Sequence, residues 1–298
     1  MVSEFISTIM NCKKVLEEYQ AKISASINEF LPSTDTRPSS LHTAMHYSLK
    51  AGGKRLRPAL LFGAFDLYSS KNDPLPAAIA IECLHTATLI HDDLPCMDDA
   101  ELRRGKPTCH KQFGEATAVL AGNALMLLPF EIISKHYAQL PAIATQLTHE
   151  LSQAAGSTEL LGGQMEDLQA QTATMLSTHD LDYIYQAKTA ALIKVSLRMG
   201  LILNEAPQAA LNEISLLGMH LGLAFQIQDD ILDETADPTV VGKDTKADSK
   251  NNKFTYPRLY GLEKAKGCFQ HHRSLALQIA TSFKKSLLAE LVETLLPL

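Results

Sequence analysis

The 298-residue sequence has no tryptophan, and Phe and Tyr supply only 6% of it. Runs of aromatic and β-branched residues with a period of two are scarce, which argues against a sheet-built fold. Cysteine is sparse as well. The five present, Cys12, Cys83, Cys96, Cys109 and Cys268, are odd in number and contain no C-x-x-C pair, so neither a zinc site nor a disulfide framework is indicated. A reducing, cytoplasmic setting fits that usage. Positive charge is in deficit, with 27 Lys and Arg against 33 Asp and Glu. Nucleic-acid binding runs on clustered bases, so a nucleic-acid partner is not expected. An anionic small molecule would have to be held by a few local cations.

The N-terminus, Met1-Val-Ser-Glu-Phe, lacks the basic and then apolar order of a signal peptide. No transmembrane segment is expected either. The most apolar stretch, Ala116 to Ile133, is interrupted by Asn123, Pro129 and Glu131 and reads as a buried helix. Neither Gly-x-x-x-x-Gly-Lys-Ser/Thr nor Gly-x-Gly-x-x-Gly occurs, so nucleotide-binding folds gain no support. No fixed-period repeat or low-complexity tract appears.

What is present is 46% hydrophobic residues, enough for a large core, in segments dominated by Ala, Leu, Met, Gln, Glu and Lys. The expectation is an all-α protein of one domain over residues 1–298. Helices are predicted from about Ser3 to Phe30, Ser40 to Ala51, Pro58 to Tyr68, Pro76 to Asp93, Glu115 to His136, Pro141 to Ala155 and Glu159 to Ala170. More follow from about Asp180 to Leu203, Ala209 to Glu234, Pro257 to Gly261 and Glu263 to Leu291. Connections are short except Leu94 to Cys109 and Ala236 to Thr255, and each long one follows an Asp cluster.

The first cluster is His91-Asp92-Asp93-Leu94-Pro95-Cys96-Met97-Asp98-Asp99, and Leu102-Arg103-Arg104-Gly105 comes shortly after it. Close carboxylates repel one another unless cations neutralise them, and hard oxygen donors suit Mg²⁺ together with substrate phosphates. On an unbroken helix Asp92 would align with Asp99 rather than Asp98. Pro95 disfavours an unbroken helix, so spacing alone does not choose the ligands. In the second cluster, Phe225-Gln226-Ile227-Gln228-Asp229-Asp230-Ile231-Leu232-Asp233, Asp229 and Asp233 share one helix face with Gln226 about a turn earlier. Each cluster alone is equally consistent with a solvated helix end. Two of them, each ending an apolar helix and followed by bases, point to chemistry. Gly52-Gly53-Lys54-Arg55-Leu56-Arg57-Pro58 adds cations behind a Gly pair, where backbone N–H groups and side chains can jointly hold a phosphate.

These residues resemble the two aspartate-rich motifs of the trans-isoprenyl diphosphate synthases. Gly52-Gly53-Lys54-Arg55-Leu56-Arg57-Pro58, Gly162-Gly163-Gln164, Lys188-Thr189 and Gly242-Lys243 match in order, so the resemblance spans roughly residues 40 to 260. The four residues between Asp93 and Asp98 are similar in number to those of bacterial farnesyl and plant-type geranylgeranyl diphosphate synthases. The resemblance implies a helical bundle around a central cavity, usually a homodimer. It implies three Mg²⁺ ions per site, held by Asp92 and Asp98 from the first motif and Asp229 from the second, with Asp233 in support. Arg103, Lys188, Gln226 and Lys243, with Lys253 nearby, would hold an allylic diphosphate. Gly53, Lys54, Arg57, His85 and Arg104 would take isopentenyl diphosphate. Thr189, with the carbonyls of Gln226 and Lys188, would stabilise an allylic carbocation.

The implied product is farnesyl diphosphate, with geranylgeranyl diphosphate as the alternative, because small Ala87 and Thr88 stand where a bulkier floor under the growing tail is usual. A terpene cyclase would carry a different second motif and more aromatic residues. A non-catalytic subunit has no reason to keep acids and bases together, and a metal-dependent diphosphatase is a third rival. His91 and His110 read as structural, Cys96 as a small filler, and Met165, Met199 and Met219 as core.

Overall fold

The structure, a computed structural model, describes residues 2–173, 175–235, 254–283 and 286–298. The described residues are almost wholly helical, as expected. They pack as two compact units, one of residues 13–151 and 199–206, the other of 1–12, 152–198 and 207–298.

The first unit is organised by α4 (Leu75–Asp92), along which α6 (Glu115–His136) lies lengthwise; α2 (Ser39–Leu49) and α3 (Leu56–Phe65) also pack on α4. Small side chains allow the close approach. Ala77, Ala80 and Ala87 of α4 and Ala118 and Ala121 of α6 are fully buried, alongside Ile81, Leu84 and Leu125. At Gly122 a Cβ would lie 2.2 Å from His91 Nε2, so the absent side chain makes the notch that receives the imidazole. The start of α4 is fixed by Tyr137, whose hydroxyl donates to Asp73 O at 2.7 Å and accepts from Ala77 N at 3.3 Å. Deeper in, Arg55 Nη1 donates to Glu82 Oε1 at 2.5 Å with both side chains 2% exposed, and its Nη2 donates to Leu49 O. Desolvating two charges is costly, and the paired hydrogen bonds are what make Glu82 tolerable among alanines.

The second unit is built on α11 (Gln208–Thr235), packed against α13 (Leu262–Ser282) with α12 (Tyr256–Tyr260) beside it, while α8 (Leu160–Ala170) packs on the segment that follows it. The predicted helix from Asp180 to Leu203 is three pieces. Helix α9 (Thr178–Ile184), capped by a reciprocal Ser177–Asp180 box, passes into a π-helical turn (Tyr185–Ala190) and then into α10 (Ala191–Leu203). That turn is gripped by glycines. A Cβ at Gly163 of α8 would stand 2.6 Å from Lys188 N, and one at Gly222 of α11 would stand 2.4 Å from Ala190 Cα.

Other departures have local causes. The loop after the first Asp cluster contains a two-residue ladder, β1 (Leu102–Arg103) with β2 (Lys106–Pro107), followed by α5 (Cys109–Phe113). Arg104 and Gly105 turn it with φ of +54° and +74°, the left-handed pair that a tight hairpin requires. Two-residue strands leave no periodicity to detect. The predicted helix Glu263 to Leu291 is α13 and a separate α14 (Ser286–Leu295). Helix α6 is not buried all round. Ala118, Ala121, Leu125 and Ile133 face inward, whereas Leu120 and Leu127 are 57% and 68% exposed. By length and composition α6 is the one described helix that could cross a membrane, yet its inner face is packed on α4.

Candidate active site

In the first unit the chain turns back on itself after α4. Asp98 N donates to Asp92 O at 2.9 Å, Met97 N and Asp99 N both donate to Leu94 O, and Ala100 N donates to Asp93 O. The bend at Pro95 thus draws Asp98 back to Asp92, which the spacing alone left open. Both keep part of their surface exposed, whereas Asp93 is buried. Arg103 grips Asp93 as a fork, Nε to Oδ2 at 2.7 Å and Nη2 to Oδ1 at 2.6 Å. Burial pushes the Asp93 carboxyl up from its ordinary range against the pull of that arginine. Arg103, expected on a diphosphate, therefore already has an internal partner. Its neighbour Arg104, sent the other way by the hairpin, donates to Gly52 O. A Cβ at Gly53 would stand 2.5 Å from Arg104 Cζ, so the guanidinium lies directly on that glycine.

Arg57 Nη1 donates to His85 Nε2 at 3.1 Å. A guanidinium only donates, so Nε2 is the acceptor and His85 carries its proton on Nδ1. Burial first, and then Arg57, Arg104, Arg103 and Arg55, holds the His85 pKa well below its usual value. Burial likewise lowers Arg57 to about 10, still charged at neutral pH. Arg55 and Arg103 are already paired with Glu82 and Asp93, which leaves Arg57 and Arg104 near the neutral imidazole and Lys54 exposed beside them as a local group of bases in a net acidic chain.

In the second unit Lys188 Nζ pairs with Asp167 Oδ2 at 2.6 Å, Thr189 Oγ1 donates to Gln226 Oε1 at 2.9 Å, and Gln226 Nε2 donates to Asp230 Oδ1 at 3.1 Å. Asp230 is buried and also receives the hydroxyl of Tyr185 and the backbone N–H of Tyr256. Asp229 is exposed and Asp233 half-buried, on the face the i, i+4 spacing implied. Lys243 and Lys253 lie outside the described residues.

Asp167, Tyr185 and Tyr256 were not singled out from sequence as site residues. Asp167 stands three residues after Gln164, a spacing that carries no sign of Lys188 as its partner. Cys96 is exposed rather than a filler because it sits on the reversed loop. Of the three methionines expected in the core, Met199 is fully buried, but Met165 is 56% exposed on α8. Ala87 is fully enclosed, while Thr88 keeps some surface and donates to His85 O.

The acids that remain turned outward, Asp92, Asp98, Asp229 and Asp233, offer hard oxygen donors suited to Mg²⁺. Among the described residues no three His, Cys, Asp or Glu side chains form a finished metal cage.

The sequence profile described as Polyprenyl synthetase matches residues 38–294. The chain belongs to this family. The polyprenyl synthetase chain is 39% identical to a farnesyl diphosphate synthase of Bacillus subtilis (strain 168) over 298 residues, 98% of each chain. It is also 39% identical over 279 residues to the chloroplastic geranylgeranyl pyrophosphate synthase 12 of Arabidopsis thaliana, covering 91% of this chain and 76% of that one. Among solved structures, an FPP/GFPP synthase from Zymomonas mobilis superposes with a TM-score of 0.85 at 34% identity, covering 96% and 98% of the two chains. A geranyltransferase from Helicobacter pylori, complexed with magnesium and isoprenyl diphosphate, gives 0.83 at 32% identity over 95% and 96%. The fold class and the family expected from the motifs both stand.

The neutral state of His85 has a measurable consequence. Its folded pKa lies below its unfolded value, so the unfolded chain binds the extra proton first. The stability His85 contributes is complete above pH 6.5 and is lost as pH falls below it. His85→Gln removes that share of the pH slope in chemical denaturation; an unchanged slope, or an NMR midpoint for His85 at or above 6.5, contradicts the assignment.

Proposed function

We propose that the protein is a trans-prenyltransferase joining isopentenyl diphosphate to an allylic diphosphate, dimethylallyl or geranyl, to give farnesyl diphosphate. The observation that carries this reading is the Arg57–His85 pair with Arg104 on the Gly52-Gly53 turn and Lys54 exposed beside it, in the same unit as the outward acids Asp92 and Asp98. The names of the relatives support the substrate class. Asp92, Asp98 and Asp229, with Asp233 in support, are the residues suited to hold Mg²⁺, three ions per site by family likeness. Mg²⁺ bound with the diphosphate supplies charge neutralisation as the C–O bond of the allylic substrate ionises.

The chain's own residues divide the remaining work. Lys54, Arg57 and Arg104 bind the isopentenyl diphosphate, with His85 contributing a neutral ring that holds Arg57. Lys188, Lys243, Lys253 and Arg103 bind the allylic diphosphate, the last while anchored on Asp93. Because the Thr189 hydroxyl spends its hydrogen on Gln226, its oxygen lone pairs are left for a cationic carbon. The double bond of isopentenyl diphosphate then attacks that carbon, and the proton lost passes to the departing diphosphate, so no His or Glu base is needed.

Geranylgeranyl diphosphate is the second reading, favoured by the small Ala87 and by geranylgeranyl synthases among the relatives at the same identity. We further propose a cytoplasmic homodimer. Four cysteines of the described chain are free thiols, as a reducing compartment keeps them, and Leu120 and Leu127, seven residues apart on α6, give a partner an apolar face.

Incubation with Mg²⁺, isopentenyl diphosphate and geranyl diphosphate yields a C15 prenyl diphosphate. Asp92→Ala or Asp229→Ala lowers turnover by at least about 10²-fold with the helical circular dichroism unchanged. Simple hydrolysis, cyclic hydrocarbon or no product refutes prenyl transfer. Ala87→Phe, checked by thermal melting because the position is enclosed, shortens the product, and an unchanged chain length by chromatography removes Ala87 from the floor. Leu127→Glu shifts the protein from dimer to monomer in sedimentation; a monomeric parent removes the dimer.

A further inference from the structure

The neighbouring aspartates of the second cluster are used in different ways. Asp229 is exposed, whereas Asp230 is 3% exposed and turned inward. Oδ2 of Asp230 accepts from the Tyr185 hydroxyl and from Tyr256 N at 3.1 Å, and Oδ1 accepts from Gln226 Nε2 at 3.1 Å. These donors come from three places: the π-helical turn, α11 itself and the start of α12. All three of these groups donate, as suits a carboxylate, which accepts.

One consequence reaches the reacting groups. A side-chain amide has one donating end and one accepting end. Since the carboxylate only accepts, Gln226 must turn its NH₂ toward Asp230, which leaves Oε1 to face Thr189. That oxygen in turn takes the Thr189 hydrogen at 2.9 Å and fixes where the hydroxyl lone pairs point. The same carboxylate ties down Tyr185, the first residue of the turn that carries Lys188 and Thr189. Position and polarity of Thr189 thus have a common origin.

We propose that Asp230 is the positioning residue of the second aspartate cluster: through Gln226 it orients the Thr189 hydroxyl, and through Tyr185 it holds the π-helical turn, while Asp229 meets the metal. The inference rests on the prenyl-transfer reading for its catalytic consequence but not for its geometry.

Asp230→Asn separates these roles because it keeps the shape and still accepts from Tyr185 and Tyr256. Its NH₂ faces that of Gln226, so the Gln226 amide turns over and presents nitrogen to Thr189. The kcat falls at least about 10-fold, while the Mg²⁺ concentration for half-activation stays that of the parent; Asp229→Asn shifts it. Thr189→Val alone lowers kcat comparably, and the double variant is no worse than the poorer single, because both break one chain of orientation. Tyr185→Phe, which retains the ring, gives the same non-additivity with Thr189→Val if Asp230→Asn fails to fold. Losses that multiply in both cycles, or a shifted Mg²⁺ requirement in Asp230→Asn, overturn the proposal.

A readout independent of turnover is the side-chain amide of Gln226 in ¹⁵N-glutamine-labelled protein. Its resonance moves in Asp230→Asn and in Thr189→Val, and an unmoved resonance in Asp230→Asn overturns the orientation. A parent that makes no prenyl diphosphate but shows these shifts refutes the prenyl-transfer reading and leaves the geometry standing.

Discussion

Adjacent carboxylates repel each other, and in both acidic clusters one of the pair is turned inward onto hydrogen-bond donors. That arrangement organises both acidic clusters. In the first, Asp93 is sunk beneath the loop and met by the Arg103 fork. In the second, Asp230 is sunk into the unit and met by a phenol, an amide and a backbone N–H. The inward acid costs desolvation, which its hydrogen bonds offset, and it anchors the segment that displays its outward neighbour. Each cluster thus has one inward acid that anchors its segment and one acid that keeps exposed surface. Asp93 is met by a full cation, whereas the hydrogen bonds described for Asp230 come from neutral groups.

Glycine does the complementary steric work. Gly122 makes room for His91 at the end of α4, Gly53 for the Arg104 guanidinium, and Gly163 and Gly222 for the backbone of the π-helical turn. In each case the missing Cβ lets a polar or backbone group lie where a side chain would stand. The arginines then set the electrostatics. Burial first, and then their fields, suppress protonation of His85.

The all-α class and most helix spans were legible because long apolar segments with good helix formers bounded by Pro and Gly leave few alternatives. The outward acids were legible as well, from the i, i+4 spacing of Asp229 and Asp233 and from family likeness for Asp92 and Asp98. The inward roles of Asp93 and Asp230 were not. Neighbouring identical residues give no sign of which faces the core, and apart from Gln226 the partners lie 10 to 45 positions away. The hairpin at Leu102–Arg103 and the π-helical turn escaped notice for a different reason. One is too short for a pattern, and the other differs from an α-helix only in its hydrogen-bond step. The reading of α6 as a buried helix holds for one face only, because Ala118, Ala121, Leu125 and Ile133 lie inside while Leu120 and Leu127 on the other face are exposed.

The π-helical turn at Tyr185–Ala190 also sets a rule about chain length. Such a turn accommodates one more residue than the α-helix that could replace it, so removing a single residue there would leave a continuous helix of nearly the same extent. The helix would survive with Tyr185 and α10 near their present orientations, but the wide turn between them would close, and the backbone from Ala187 to Ala190 would no longer meet Gly163 and Gly222 as it does. In this stretch the count of residues is constrained more tightly than their identity.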